Sequence, residues 1–127
     1  MALAIYPDGS CVPNPGEMQI GVAVMQGDKP VHQISKKMGP GTSNQAELLA
    51  ILEALKWAPK HEDITLHVDS KYALGVVSKG WNVTKNLELV MTVRTLFRSF
   101  PKIKMVKVKG HAGVAGNELA DRLAAAY

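Results

Sequence analysis

The apolar residues of this chain keep one period as far as Met38 and then switch, and that switch limits the possible folds more than any other feature. Ala2 to Asp8 is an apolar run ending in a carboxylate, and Gln19 to Gln26 carries Ile20, Val22 and Val24 at period two, the spacing of a strand. Gly27-Asp28 is a hairpin-turn sequence leading into a third strand, roughly Pro30 to Met38. Between the first two strands, Cys11-Val12-Pro13-Asn14-Pro15-Gly16 stops regular structure with two prolines and a glycine. Three strands joined in this way form an antiparallel meander.

Beyond Gly39-Pro40-Gly41 the period becomes helical. Leu48, Ile51, Leu52 and Leu55 form one stripe of a helix from Asn44 to Trp57, which Pro59 ends. Ile64 to Val68 alternates again as a short strand running into Asp69-Ser70. Helical stretches follow at Lys71 to Lys79, with Gly80 as its stop, and within Asn82 to Phe100. Lys102 to Lys109 is a β-branched, basic strand, Gly110 to Gly116 a loop with three glycines, and Asn117 to Tyr127 a terminal helix. Strands that return through helices add in parallel. The expected fold class is therefore α/β, a mixed five-stranded sheet of three antiparallel and then parallel strands, with about four helices on its faces.

A length of 127 residues predicts one domain, 1–127, burying roughly two-thirds of the unfolded surface. A hydrophobic fraction of 46% with 20% charged residues excludes a disordered chain. The net charge of +4 favours an anionic partner only weakly, but if four acids were occupied by two divalent cations the balance would become +8. No apolar run reaches the length of a membrane span, and the N-terminus lacks the basic region and long apolar stretch of a signal peptide, so no membrane association is expected. A single cysteine, Cys11, fits a reducing, cytoplasmic compartment.

Two carboxylates end predicted strands, Asp8 and Asp69, and in sheets with crossover helices ligand sites collect at the carboxyl ends of strands. Each also reads as an ordinary turn or helix cap. Glu47 has two readings as well. Asn44-Gln45-Ala46-Glu47 matches a capping box in which Asn44 caps and Glu47 reaches back. Alternatively, Glu47 borders the stripe facing the sheet, where a carboxylate needs a partner such as a metal. Asp121 is flanked by apolar residues in Asn117-Glu118-Leu119-Ala120-Asp121-Arg122-Leu123, and at i+4 it meets only Ala125. His111 lies in a glycine-bounded loop, Lys109-Gly110-His111-Ala112-Gly113, either simply solvated or free to enter a site and transfer a proton. No zinc spacing, Walker loop or nucleophile elbow is present.

Four blocks in order, Tyr6-Pro7-Asp8-Gly9-Ser10-Cys11 with Asn14-Pro15-Gly16, Thr42 to Leu48, Val68-Asp69-Ser70-Lys71-Tyr72, and Val108 to Gly113 with Gly116 to Asp121, resemble type 1 ribonuclease H. The resemblance spans essentially the whole chain. It implies hydrolysis of the RNA strand of RNA/DNA hybrids, leaving 5′-phosphate and 3′-hydroxyl ends. It also implies a site of two Mg²⁺ ions, with Mn²⁺ as a substitute, held by Asp8, Glu47, Asp69 and Asp121. In that scheme Asp8 bridges the ions, and His111 assists product release or proton transfer. Ser10, Cys11, Asn44 and Lys71 match contacts to the RNA strand, where a 2′-hydroxyl distinguishes RNA. Asn14 and Thr42 match positions that hold a phosphate of the DNA strand, and Ser43 and Ser70 complete the expected substrate surface. A monomer is expected.

Three departures from the family pattern stand out. Pro7 removes a ladder donor near the end of the first strand, so an interruption or an edge is expected there. Ser43-Asn44 replaces a pair of amides. The basic, tryptophan-containing extra helix of many members is missing, only Gly80 to Lys85 lying in its place. Lys79, Lys85, Arg94, Arg98, Lys102, Lys104, Lys107 and Lys109 are the candidates to replace its charge.

Overall fold

The computed structural model describes residues 2–108 and 114–125. Its strands are β1 (Ala2–Cys11), β2 (Gly16–Gln26), β3 (Lys29–Gly41), β4 (Asp63–Val68) and β5 (Ile103–Lys107). They form one sheet in the order β3-β2-β1-β4-β5. The β1–β2 and β2–β3 pairs are antiparallel, and β4 joins β1 and β5 joins β4 in parallel, as the periodicity predicts.

Alternation along the strands sorts the core into two layers. Leu3, Ile5, Val22 and Val24 face α1 (Ser43–Trp57) and α3 (Leu87–Arg98), where they pack with Leu48, Ile51, Leu55, Val90 and Val93. Ala4, Tyr6, Ala23 and Met25 face the other way, toward Ala120, Leu119 and Leu123 of α4 (Ala115–Ala125). The strand β2, covered on both faces, is buried nearly throughout, whereas β5 at the sheet edge exposes Lys104 and Lys107.

Local departures from the sequence expectation have physical causes. The helix α1 is capped by Thr42, not Asn44: the Thr42 hydroxyl accepts from the Gln45 amide, and the Gln45 side chain accepts from the Thr42 amide at 2.9 Å. The expected helix from Lys71 to Lys79 shortens to α2 (Lys71–Ala73) followed by a wider π-turn, Leu74–Ser78. The stretch from Asn82 becomes helical only at Leu87, because Asn86 is left-handed with φ of 58°. At Pro7 the interruption falls on one side only. The ladder with β4 ends at Ile5, while the ladder with β2 continues through Pro7↔Val22 to Cys11.

Candidate metal centre and nucleic-acid interface

The carboxylates meet because three separate layers converge at the end of β1. Asp8 pairs with Gly21 of β2, and both lie on the face that α4 covers. Asp69 follows β4. The last pair of the parallel ladder is Ile5↔Leu66, and three residues further along each strand are Asp8 and Asp69, so the two acids stand level. Glu47 comes from the opposite face. A side chain at Gly9 would sit 2.5 Å or less from the carbonyl group of Ala46 and the amide of Glu47, so the missing side chain lets the first turns of α1 touch β1. The Gly9 amide then donates to Glu47 Oε1 at 3.2 Å. With Thr42 and Gln45 forming the cap, Glu47 is not the capping residue, and its carboxylate is held instead by the Gly9 amide.

Asp8, Glu47 and Asp69 each place a carboxylate oxygen within 4.8 Å of the others, the group among the described residues able to hold a metal ion. Asp121, on the exposed side of α4, hydrogen-bonds Asp8. Burial pushes the Asp8 carboxyl up from 3.8 to about 7, reinforced by the charge of Asp69 and by the contact with Asp121. Burial, with the charges of Asp8 and Asp69, also holds Glu47 well above the ordinary carboxylate range, the Gly9 amide only partly offsetting it. Neighbouring acids that resist ionisation together are stabilised by a cation. Their donors are all hard carboxylate oxygens, which fit Mg²⁺ or Mn²⁺ and not a thiophilic metal.

Several of the expected substrate residues are already engaged within the chain. Asn14 and Ser43 bind each other, Asn14 Nδ2 donating to Ser43 Oγ at 2.9 Å and the Ser43 amide to Asn14 Oδ1 at 3.2 Å. Ser10 donates its hydroxyl to the Ala124 carbonyl at 2.7 Å, so it faces a ligand only as an acceptor. Cys11 is buried, its thiol directed at the carbonyls of Pro13 and Gly41. Ser70 caps α2 by accepting from the Ala73 amide, and Thr42 caps α1. Asn44 and Lys71 are exposed. His111 and Lys109 lie outside the described residues.

A polar tie missed in the sequence joins these segments: Gln45 Nε2 donates to Asn86 Oδ1 at 3.1 Å, and Asn86 Nδ2 to the Tyr72 hydroxyl at 3.4 Å. It fixes the loop of residues 79–86 against the start of α1. A second clamp holds the same loop. The Trp81 ring lies on Gly75, where a β-carbon would come within 2.6 Å of it, and Arg94 donates to the carbonyls of Val76 (2.9 Å from Nε) and Trp81 (3.2 Å). Arg94 is thus half-buried against backbone, while Lys79, Lys85, Arg98, Lys102, Lys104 and Lys107 remain exposed. Gly9 and Gly21 were the available signals for the site's close approaches, since a glycine inside a strand often marks a neighbouring backbone.

Comparison with known proteins agrees with this arrangement. The RNase H family model matches residues 1–127. A ribonuclease H of Caulobacter sp. (strain K31) is 35% identical over 135 residues, covering 96% of this chain and 86% of the relative. The crystal structure of RNase H1 from the halophilic archaeon Halobacterium salinarum NRC-1 superposes with a TM-score of 0.84 at 30% identity, over 98% of this chain and 96% of the other. LC11-RNase H1, solved in complex with an RNA/DNA hybrid, shares the fold with a TM-score of 0.78 at 21% identity, over 97% and 96% of the two chains. On the strength of the full-length family match and these relatives, the chain belongs to the type 1 ribonuclease H family and is a ribonuclease H enzyme.

Proposed function

We propose that this chain cuts the RNA strand of RNA/DNA hybrids endonucleolytically with two Mg²⁺ ions, Mn²⁺ serving as a substitute, and leaves 5′-phosphate and 3′-hydroxyl ends. The observation that carries the reading is the convergence of Asp8, Glu47 and Asp69 within 4.8 Å, with Asp121 bonded to Asp8. A protein that only bound a polyanion would gain nothing from such a cluster. The hybrid bound to the LC11 relative supports the choice of substrate.

In this scheme Asp8, Glu47, Asp69 and Asp121 hold the ions. Divalent cations bound there supply Lewis acidity to the scissile phosphate and lower the pKa of the attacking water. The chain's own part is to fix the acids: Gly9 orients Glu47, and β4 sets Asp69 level with Asp8. His111 assists product release or proton transfer. Ser10 accepts from a 2′-hydroxyl, Cys11, Asn44 and Lys71 line the RNA strand, Asn14 and Thr42 meet a phosphate of the DNA strand, and Ser43 and Ser70 complete the substrate surface. The same reading takes residues 1–127 as one domain acting as a monomer in the cytoplasm.

The test is a gel assay with labelled RNA/DNA hybrid, duplex DNA, duplex RNA and branched DNA, each with Mg²⁺, Mn²⁺ or chelator. Cleavage confined to the RNA of the hybrid and dependent on metal is the expected result. No hybrid cleavage with either metal rejects the reading, and cleavage of branched DNA alone assigns a junction resolvase.

A further inference from the structure

Asp121 is carried by α4, and the structure holds that helix at three points. Near its start, Gly116 lies against the Tyr6 ring, where a β-carbon would come within 2.2 Å of a ring carbon. At its middle, the backbone of Ala120 and Ala124 touches β2 at Gly21, the residue paired with Asp8. Toward the end of its described residues, backbone carbonyls of α4 accept hydrogen bonds from side chains of three strands. Ser10 of β1 donates to Ala124 at 2.7 Å. Gln19 of β2 donates to Leu123 at 3.3 Å and to the Ser35 hydroxyl at 3.0 Å, and Ser35 of β3 donates to Leu123 at 2.8 Å. Gln19 is only 3% exposed, its Nε2 committed to this contact while its Oε1 has no hydrogen-bond partner among the described residues.

We propose that Gln19 and Ser35 are positioning residues for metal binding: they fix the C-terminal end of α4 against the sheet, and so keep Asp121 within reach of Asp8. The inference rests on the metal reading of the four acids. Neither residue is an acid, and neither belongs to the expected substrate surface. Loosening the end of α4 lets the helix pivot about Gly116 and Gly21, and Asp121 lies two residues before the released Leu123 carbonyl, within the same turn. The cost therefore falls on cation affinity, and the grip on the hybrid is spared.

The experiment titrates Mn²⁺ into the substrate-free protein, by calorimetry or electron paramagnetic resonance, for wild type, Ser35→Ala, Ser35→Thr and Gln19→Leu. Ser35→Ala removes the bonds to Gln19 and Leu123 and raises the dissociation constant of the weaker site about five-fold, and Gln19→Leu, which also removes two bonds, raises it to a similar extent. Ser35→Thr, which keeps the hydroxyl, binds Mn²⁺ like wild type. At saturating Mn²⁺ the Ser35→Ala enzyme recovers kcat and shows an unchanged KM for hybrid. If Ser35→Ala and Gln19→Leu melt at lower temperature but bind Mn²⁺ as wild type does, the two residues are structural only and the inference is wrong. If wild type itself binds no divalent cation, the metal reading fails, and the inference falls with it.

Discussion

The amide of Gly9 donates to the Glu47 carboxylate, and the backbone of Ala46 and Glu47 fills the space that a side chain at position 9 would need. Strand and helix therefore meet backbone to backbone at the site. In Gly9→Ala the new methyl forces α1 outward and breaks the Gly9–Glu47 bond, an overpacking cost on the order of 1–3 kcal/mol. Denaturant unfolding should show that loss, and hybrid hydrolysis should fall further than the stability change alone explains. A Gly9→Ala enzyme with wild-type rate and stability would show that this contact is dispensable.

Without metal, the acid cluster makes the protein less stable as pH rises. Asp8 keeps its proton in the folded state up to about 7, whereas in the unfolded chain it releases it near 3.8. Between those values the folded state binds more protons, so stability falls with rising pH, and the loss is complete above the folded value. The shift corresponds to an upper figure on the order of 4 kcal/mol. His67, whose pKa is lowered by burial and by Lys104, gives a slope of opposite sign, and comparing wild type with Asp8→Asn cancels it. In chelator, Asp8→Asn should be the more stable protein at pH 8, by roughly 1–3 kcal/mol given relaxation of its neighbours, and equal to wild type near pH 3. Added Mg²⁺ should stabilise wild type and not the variant. Melting curves across pH, with and without Mg²⁺, decide the matter.

Asp69→Asn keeps the shape of the side chain and removes a charge from the cluster. Turnover on hybrid should drop at least about 100-fold, beyond the effect usual for a residue that merely supports a ligand, while circular dichroism stays as in wild type and melting in chelator is no lower, since the lost charge relieves Asp8 and Glu47. Retained activity would remove Asp69 from the metal site.

Arg94 supports the loop of residues 79–86 from beneath. In Arg94→Ala the carbonyls of Val76 and Trp81 lose a charged donor, costing about 1.5–3 kcal/mol. Lysine lacks the planar fork that reaches both carbonyls, so Arg94→Lys should recover little of it. Trp81 fluorescence during urea unfolding reports the effect. A loss confined to hybrid affinity, with stability intact, would instead assign Arg94 to phosphate binding.

Much of the architecture was legible because period two and period 3.6 separate cleanly, as at Ile20-Val22-Val24 and Leu48-Ile51-Leu55. Competing local signals were harder. Thr42-x-x-Gln45 and Asn44-x-x-Glu47 both satisfy the capping pattern, and the choice falls to Thr42 because Glu47 finds the Gly9 amide, 38 residues away in sequence. The helix expected through Lys79 widens instead, with the Lys79 amide donating to both Leu74 and Gly75. That geometry accompanies the packing of Trp81 on Gly75, a contact no local pattern encodes. Asp8 and Asp69 were recognisable as strand-end acids, but their alignment depends on the register of a parallel ladder whose strands lie far apart in the chain. Arg94 looked like surface charge in the sequence, and only the fold shows what its guanidinium holds.

Because α1 and α4 lie on opposite faces of the sheet, the site has no single cooperative unit of its own. In the proposed scheme hydrolysis needs both helices docked at once, so activity should be lost whenever either one opens. Helix α4 packs on the smaller of the two core layers and is the element best placed to detach without global unfolding. Activity should therefore disappear at lower urea than the far-ultraviolet signal, with α4 amides exchanging before those of β1 and β2. For this fold, inactivation and denaturation should then be separate events.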